Sequence, residues 1–124
     1  MTEDKDTVAE RLCRLPIDFR TIRTVSSIAL VQNSGYLERP TDLTRESVLG
    51  VLRKSPSLID EWLLWSENQR TTPAWAFYEV ANGYRVHLVG GDEEMVFTDK
   101  FEACAEFVMR QIQSIAGFTE KTST

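Results

Sequence analysis

The sequence predicts an α+β fold with N-terminal helices, a three-stranded antiparallel β-meander, and a C-terminal helix packed on the sheet. The spacing of apolar residues changes from a helical period to a period of two after Pro73, and it becomes helical again after Asp99. The pairs Asn82-Gly83 and Gly90-Gly91 mark two chain reversals inside the period-two stretch. The alternative fold is an all-helical domain with one inserted hairpin.

Two helices are predicted before Gly35. The first contains Val8, Leu12 and Leu15 at i, i+4 and i+7, and Pro16 ends it. Asp18 can cap the second, which Gly35 stops. Apolar residues recur on one side of this second helix at Phe19, Ile22, Val25 and Ala29. The β-branched residues in 28–31 favour a short strand as the alternative.

Two further helices are predicted in the middle of the chain. Thr44 is a good N-cap for the third helix, and Ser55-Pro56 provides a cap and a first-turn proline for the fourth. The fourth helix fades near Gln69. Their apolar positions are Val48, Val51 and Leu52 in the third helix and Leu58, Ile59, Trp62, Leu63 and Trp65 in the fourth.

The meander occupies the stretch with a period of two. Ala74 to Val80 is the first strand, and Asn82-Gly83 is predicted to form a type I′ turn. Apolar residues then alternate with polar ones in the second and third strands, at Tyr84, Val86, Leu88, Met95 and Phe97. Such alternation predicts a sheet with one apolar face.

The last helix has the clearest pattern. Asp99 and Glu102 have the spacing of a capping box. One apolar stripe follows, made of Phe101, Cys104, Phe107, Val108, Ile112 and Ile115. We expect this stripe to cover the apolar face of the meander.

Length and composition predict one globular domain over residues 1–124, with frayed ends at 1–5 and 119–124. The chain has 42% hydrophobic and 27% charged residues, which is enough for a core without disulfide or metal support. The start is polar and no apolar run approaches 18 residues, so we expect a cytoplasmic protein with no membrane partner.

Charge makes a basic protein the expected partner. The net charge is −5, which argues against nucleic acid as a partner because phosphate binding requires clustered Lys and Arg. From Ala74 onward there are eight acidic and four basic residues, whereas the first 40 residues have six of each. The C-terminal half therefore carries most of the negative charge.

No residue set predicts an enzyme. His87 is the single histidine and has no evident catalytic or metal-binding partners. Cys13 and Cys104 lie in apolar helical patterns with no CxxC spacing, which predicts buried thiols in a reducing compartment. We therefore expect no catalytic residues, no cofactor, no metal and no small-molecule substrate.

Six residues are candidates for partner binding. Trp65 is three residues from Trp62, so both indoles cannot point equally inward, and Tyr78 falls on the strand face opposite Phe77. Acidic residues at a hairpin tip remain available to a basic partner. The candidates are Trp65, Tyr78, Glu79, Asp92, Glu93 and Glu94.

The order of several segments resembles immunity proteins of bacterial contact-dependent growth inhibition and related polymorphic toxin systems. The segments are Trp62-Leu-Leu-Trp65-Ser66-Glu67-Asn68-Gln69-Arg70, Trp75 opening a strand, Tyr84, Phe97-Thr98-Asp99, and the helix Phe101-Glu-Ala103-Cys104-Ala105-Glu106-Phe107-Val108. The resemblance covers roughly residues 35 to 115.

The resemblance implies a protein that binds a cognate toxin domain inside the producing cell. It would neutralise the toxin by covering its active site or a nearby surface. The toxins of such systems are often nucleases with basic clefts. The resemblance assigns no binding residue. A small cytoplasmic regulatory or adaptor domain that binds another protein is the alternative function, and a small enzyme with an unrecognised site is a third.

Overall fold

The computed structural model describes residues 7–21, 27–68, 75–88 and 91–122, and it has the predicted α+β architecture. Three strands form one antiparallel sheet in the order β1-β2-β3, which excludes the all-helical alternative. A short 3₁₀ turn spans Pro40–Asp42. The helices are α1 (Val8–Cys13), α2 (Leu15–Thr21), α3 (Ser27–Asn33), α4 (Arg45–Lys54), α5 (Ser57–Asn68) and α6 (Lys100–Thr122), and the strands are β1 (Trp75–Val80), β2 (Gly83–Leu88) and β3 (Glu94–Phe97).

The first two helices differ from the prediction at their junction. The helix α1 ends at Cys13, and Pro16 lies in the first turn of α2 instead of ending α1. Proline is tolerated there because the first-turn N–H groups have no partner within the helix. Asp18 is likewise inside α2 and not at its N-cap, so that prediction was wrong.

The segment before Gly35 contains helices and no strand among its described residues. Residues 28–31 belong to α3, so the short-strand alternative was wrong. Ile22 and Val25 lie outside the described residues. Gly35 has a φ of +93° shortly after α3 ends, which agrees with the predicted helix stop.

The capping of α4 follows the sequence closely. The Thr44 hydroxyl accepts from the Ser47 N–H at 3.0 Å, and the Ser47 hydroxyl accepts from the Thr44 N–H at 2.9 Å. This reciprocal pair satisfies two of the N–H groups that a helix start leaves without partners. A tight turn through Ser55 and Pro56 then leads into α5.

The first hairpin has a different register from the predicted one. Val80 pairs with Gly83, so the turn residues are Ala81 and Asn82 and not Asn82 and Gly83. No described non-glycine residue has a positive φ, which rules out a type I′ turn here. Gly83 is needed for another reason, because a Cβ atom there would overlap the carbonyl oxygen of Phe97.

The last helix is the centre of the molecule. It covers the apolar sheet face, as predicted, and its other sides contact α3, α4 and α5. All residues from Ala103 to Val108 are buried, and Phe107 packs at 5.4 Å from Phe77 and 5.7 Å from Trp62 between ring centroids. The helix therefore joins the helical layer and the sheet into one core. No described helix is both long enough and apolar enough to cross a bilayer.

Candidate protein-binding groove

The helix α5 covers the outer edge of β1. Because β1 is an edge strand, alternate backbone N–H groups point away from β2 and need other partners. The Phe77 N–H donates to the Ser66 hydroxyl at 2.8 Å, and the Trp75 N–H donates to the Gln111 side-chain oxygen at 3.4 Å. These bonds hold α5 and α6 against the strand and close its edge to pairing at those positions.

A groove of about 580 Å³ lies between α5 and β1. Its rim has three exposed carboxylates, on Asp60, Glu67 and Glu79, and Leu64 is 45% exposed. None of the nine lining residues, all within the described part of the chain, is a Lys or Arg. Among the described lining residues, the groove therefore combines accessible apolar surface with negative charge only. The lining residues are Asp60, Leu63, Leu64, Ser66, Glu67, Ala76, Phe77, Tyr78 and Glu79.

A second depression, of about 590 Å³, lies between α1 and α4 and has a mixed charge. Arg11, Arg39 and Lys54 line it together with Glu10, Asp42 and Glu46, and Arg39 pairs with Asp42 at 3.6 Å. Three cations and three anions give this depression no net charge, so their fields largely cancel at a distance from it. The two depressions have similar volumes but differ in charge, because the described lining of the groove beside β1 is acidic only. This groove is therefore the better candidate for binding a charged partner.

Two of the six candidates from the sequence, Tyr78 and Glu79, line the groove. The Tyr78 hydroxyl lies 3.3 Å from His87 Nδ1, and the Arg85 guanidinium lies 5.9 Å from the Tyr78 ring centroid. Tyr78 therefore faces away from α6, as strand alternation predicted. His87 is partly buried beside Tyr78, and the two rings also pack edge-on with their centroids 5.6 Å apart.

The other three acidic candidates lie elsewhere. Asp92 and Glu93 are in the β2–β3 turn, as predicted, whereas Glu94 is the first residue of β3 and not part of the turn. Glu94 pairs with Arg85 at 2.8 Å and Glu93 lies 3.5 Å from Arg110, whereas Asp92 is exposed with no ion pair to a described residue. Glu79 lies two strands away from Phe97 in the register, and Glu94 is three residues before Phe97 on β3. The Cα atoms of Glu79 and Glu94 are therefore about 14 Å apart. The structure thus separates the acidic candidates into two surfaces.

Trp65 belongs to neither acidic surface. Its ring packs edge-on against Phe19 at 5.2 Å and against Trp62 at 6.0 Å. Its indole nitrogen is buried and donates no hydrogen bond to a described group. Phe19 is 43% exposed, so this pair forms a small apolar patch on α2 and α5.

A buried carboxylate connects the two layers, and the sequence reasoning missed it. The Glu106 side chain is only 11% exposed and accepts from Arg45 on α4 and from Arg110 Nε at 2.6 Å. Arg45 also reaches Glu102 at 3.0 Å, and Arg110 lies over the Trp75 ring at 4.9 Å. Glu102 therefore pairs with α4, which the capping-box pattern did not predict.

Among the described residues there is neither a metal-binding cluster nor a reactive thiol. In the stretches that the structure covers, no three His, Cys, Asp or Glu side chains are placed to hold a metal ion. Burial raises the pKa of the Cys13 thiol to about 12 and that of Cys104 well above its ordinary value, so neither thiol forms a nucleophilic thiolate near neutral pH. Both are free thiols.

A signal for the groove was present in the sequence. Asp60, Leu64 and Glu67 recur at i, i+4 and i+7 on α5, which places them on one side of the helix. Arg70, which follows this helix in the sequence, lies outside the described residues. Comparison with known protein families, curated proteins and solved structures finds no match for this chain.

Proposed function

We propose that this chain is a non-enzymatic immunity protein that binds a cognate bacterial toxin domain in the cytoplasm and neutralises it by non-covalent association. The acidic groove between α5 and β1 carries the proposal. Exposed Leu64 supplies apolar contact area, and Asp60, Glu67 and Glu79 supply a field of one sign. A basic toxin surface would gain association rate and specificity from such a field.

The resemblance of residues 35–115 to immunity proteins supports the toxin domain as the partner. Segments of that resemblance border the groove, since Ser66 and Glu67 line it and Trp75 begins the strand beside it. The alternative is a regulatory or adaptor domain, which would use the same groove for another cytoplasmic protein. The two functions differ in whether the partner is toxic when this chain is absent.

The first test is whether the neighbouring upstream gene encodes a very large secreted protein with a variable C-terminal domain. The second is co-expression of that domain with this chain. Survival of the host and co-purification of both proteins would support immunity. A harmless co-purifying partner would favour the adaptor function, and a toxic domain that neither binds nor is neutralised would contradict the proposal.

Two triple variants then locate the interface. Asp60→Asn/Glu67→Gln/Glu79→Gln neutralises the groove, and Asp92→Ser/Glu93→Ser/Glu94→Ser neutralises the turn. We expect the groove variant to slow association and to weaken its salt dependence, because steering depends on exposed unpaired charge. The turn variant should have the smaller effect, since Glu93 and Glu94 are already paired with arginines. Glu38→Gln, at an exposed site outside the groove, is the control.

A further inference from the structure

The outer edge of β3 is open among the described residues. The two edge strands of the sheet are β1, whose edge α5 covers, and β3. The strand β2 is the only described strand that pairs with β3. Val96, in the middle of β3, is 60% exposed, more than the exposed large hydrophobic residues Phe19 and Leu64. Natural edge strands commonly carry charged residues, above all Lys, or Pro or a bulge. Residues 94–97 have no Lys, Pro or bulge, and their one charged residue, Glu94, is paired with Arg85 on β2.

The direction of the backbone groups on β3 follows from its pairing with β2. The Leu88 N–H donates to the Glu93 carbonyl at 3.0 Å, and the register then places Val86 opposite Met95 and Tyr84 opposite Phe97. Hydrogen-bonded pairs alternate along an antiparallel ladder, so Met95 and Phe97 point their N–H and C=O groups toward β2. Glu94 and Val96 therefore point theirs outward, to the open edge.

We propose that two copies of this chain associate by antiparallel pairing of their β3 strands about a two-fold axis at Val96. Val96 would then exchange two backbone hydrogen bonds with Val96 of the second copy. In this register Met95 faces Phe97, and Glu94 faces Thr98. The product is a continuous six-stranded sheet with β1 and its groove at each end.

The strand favours a second copy as its occupant because it is complementary to itself in this register. Residues that face each other across two paired strands must have their side chains on the same side of the sheet. Pairing Val96 with Val96 of the second copy satisfies this condition for every residue of β3. Within 94–98, apolar residues face apolar ones and Glu94 faces Thr98. The same register places Glu93 opposite Asp99 just beyond the strand, so we expect the dimer to be weaker at low salt than at high salt. A single patch that serves both partners is the defining property of a two-fold interface.

The position of α6 leaves room for the second copy. The axis is perpendicular to the sheet, so both α6 helices lie on the same face. The helix α6 lies over β1 and β2 more than over β3. If each α6 is centred over the β2 strand of its own copy, the two helix axes are three strand spacings, or about 14 Å, apart. Packed helices usually have their axes about 8–10 Å apart. The helices therefore do not collide, and the proposal does not depend on the function of the groove.

The experiment is sedimentation equilibrium of the purified full chain from micromolar to millimolar concentration, together with amide hydrogen exchange. We expect the mass to rise toward that of a dimer. The Val96 amide should become protected as concentration rises, whereas the Met95 and Phe97 amides should be protected at every concentration. A chain that stays monomeric over the whole range would overturn the proposal, and so would a dimer whose Val96 amide remains unprotected.

Two substitutions test the interface directly. Val96→Lys should weaken the dimer at least about tenfold, since it places two lysines face to face at the axis. Val96→Pro removes the outward N–H and should also weaken the dimer, because the bond to the second copy is lost. Proline fixes φ as well, but an edge strand tolerates it where the N–H faces outward. Leu64→Lys, which changes an exposed residue of the groove, is the control and should leave the dimer unchanged. Dimers of unchanged affinity in both Val96 variants would contradict the proposal.

Discussion

The hydroxyl oxygen of Ser66 accepts a hydrogen bond of 2.8 Å from the backbone N–H of Phe77. This contact helps to hold α5 beside β1, in the position that a fourth strand would otherwise take. A partner that approaches from this side therefore meets the side chains of Asp60, Leu64 and Glu67 before it meets backbone.

Removing this hydroxyl should loosen the groove without unfolding the protein. We expect Ser66→Ala to lower the free energy of unfolding by about 1 kcal/mol, because the partly buried Phe77 N–H loses its partner. Amide hydrogen exchange is the specific measurement. The Phe77 amide should exchange faster, while the Tyr78 amide, which points toward β2, should be unaffected. Equal acceleration at both residues would mean that the strand itself is disrupted.

The core should depend strongly on Phe107. This side chain is fully buried between Phe77 of the sheet and Trp62 of α5. We expect Phe107→Ala to reduce the free energy of unfolding by about 3–5 kcal/mol in denaturant titrations, through lost apolar contact and a residual cavity. A loss below about 1 kcal/mol would show that the two layers do not meet at this residue.

The two glutamates that contact Arg45 should differ in their importance. Glu106→Ala removes a nearly buried acceptor from both Arg45 and Arg110, and we expect a loss of about 1–2 kcal/mol, because both arginines are part exposed and solvent moderates the effect. Glu102→Ala, one turn earlier, removes an exposed pair and should cost about 0.5 kcal/mol or less. Thermal or denaturant unfolding of both variants is the measurement, and equal losses would contradict the burial argument.

Two glycines should respond in opposite directions to substitution by alanine. Gly50 lies in α4 with no other group near the position of a Cβ atom, so Gly50→Ala should stabilise the protein by about 0.5–1 kcal/mol. Gly83→Ala should destabilise it by more than about 1 kcal/mol, because the new Cβ would overlap the Phe97 carbonyl oxygen. Denaturant midpoints of the two variants measure both effects, and a stable Gly83→Ala protein would mean that β3 can move away.

The two thiols should be unreactive until the chain unfolds. A thiol reagent at neutral pH should modify Cys13 and Cys104 only in denaturant, since burial raises the pKa of both.

The unfolded chain loses these thiol protons near pH 9, whereas the folded chain keeps the Cys13 proton to about pH 12 because burial raises its pKa. Stability should therefore fall as pH rises through this window, by up to about 1.4 kcal/mol per pH unit for each thiol.

The double variant Cys13→Ala/Cys104→Ala is the control for the alkaline measurement. It lacks both titrating groups, so its stability should decline less steeply over the same pH window. An unchanged slope in this variant would assign the alkaline loss to other residues.

Features set by neighbouring residues could be predicted from the sequence. Thr44 and Ser47 form their capping pair within one helical turn, and the change of period after Pro73 located the sheet. Strand alternation alone placed Tyr78 on the face opposite Phe77. Each of these needs only local geometry, which the residue spacing contains.

Features that depend on distant residues were missed or misplaced. The Asn82-Gly83 pair favours a type I′ turn locally, but the close approach of Phe97 determines where the glycine lies. Arg45 and Glu106 are 61 residues apart, so no local pattern could pair them. The groove needs α5 to lie beside β1, and the spacing of Asp60, Leu64 and Glu67 gives no information about that contact.

The position of α6 also determines when the protein can fold during synthesis. The ribosome makes α1 to α5 and the whole meander before it makes the helix that joins them. Until the stretch from Phe101 to Ile115 has emerged, the apolar faces of both layers have no shared core and remain open to chaperones and to proteases. The shared core of the nascent chain therefore forms late, in a single step. A pause of translation before Lys100 should leave an intermediate that proteases can degrade.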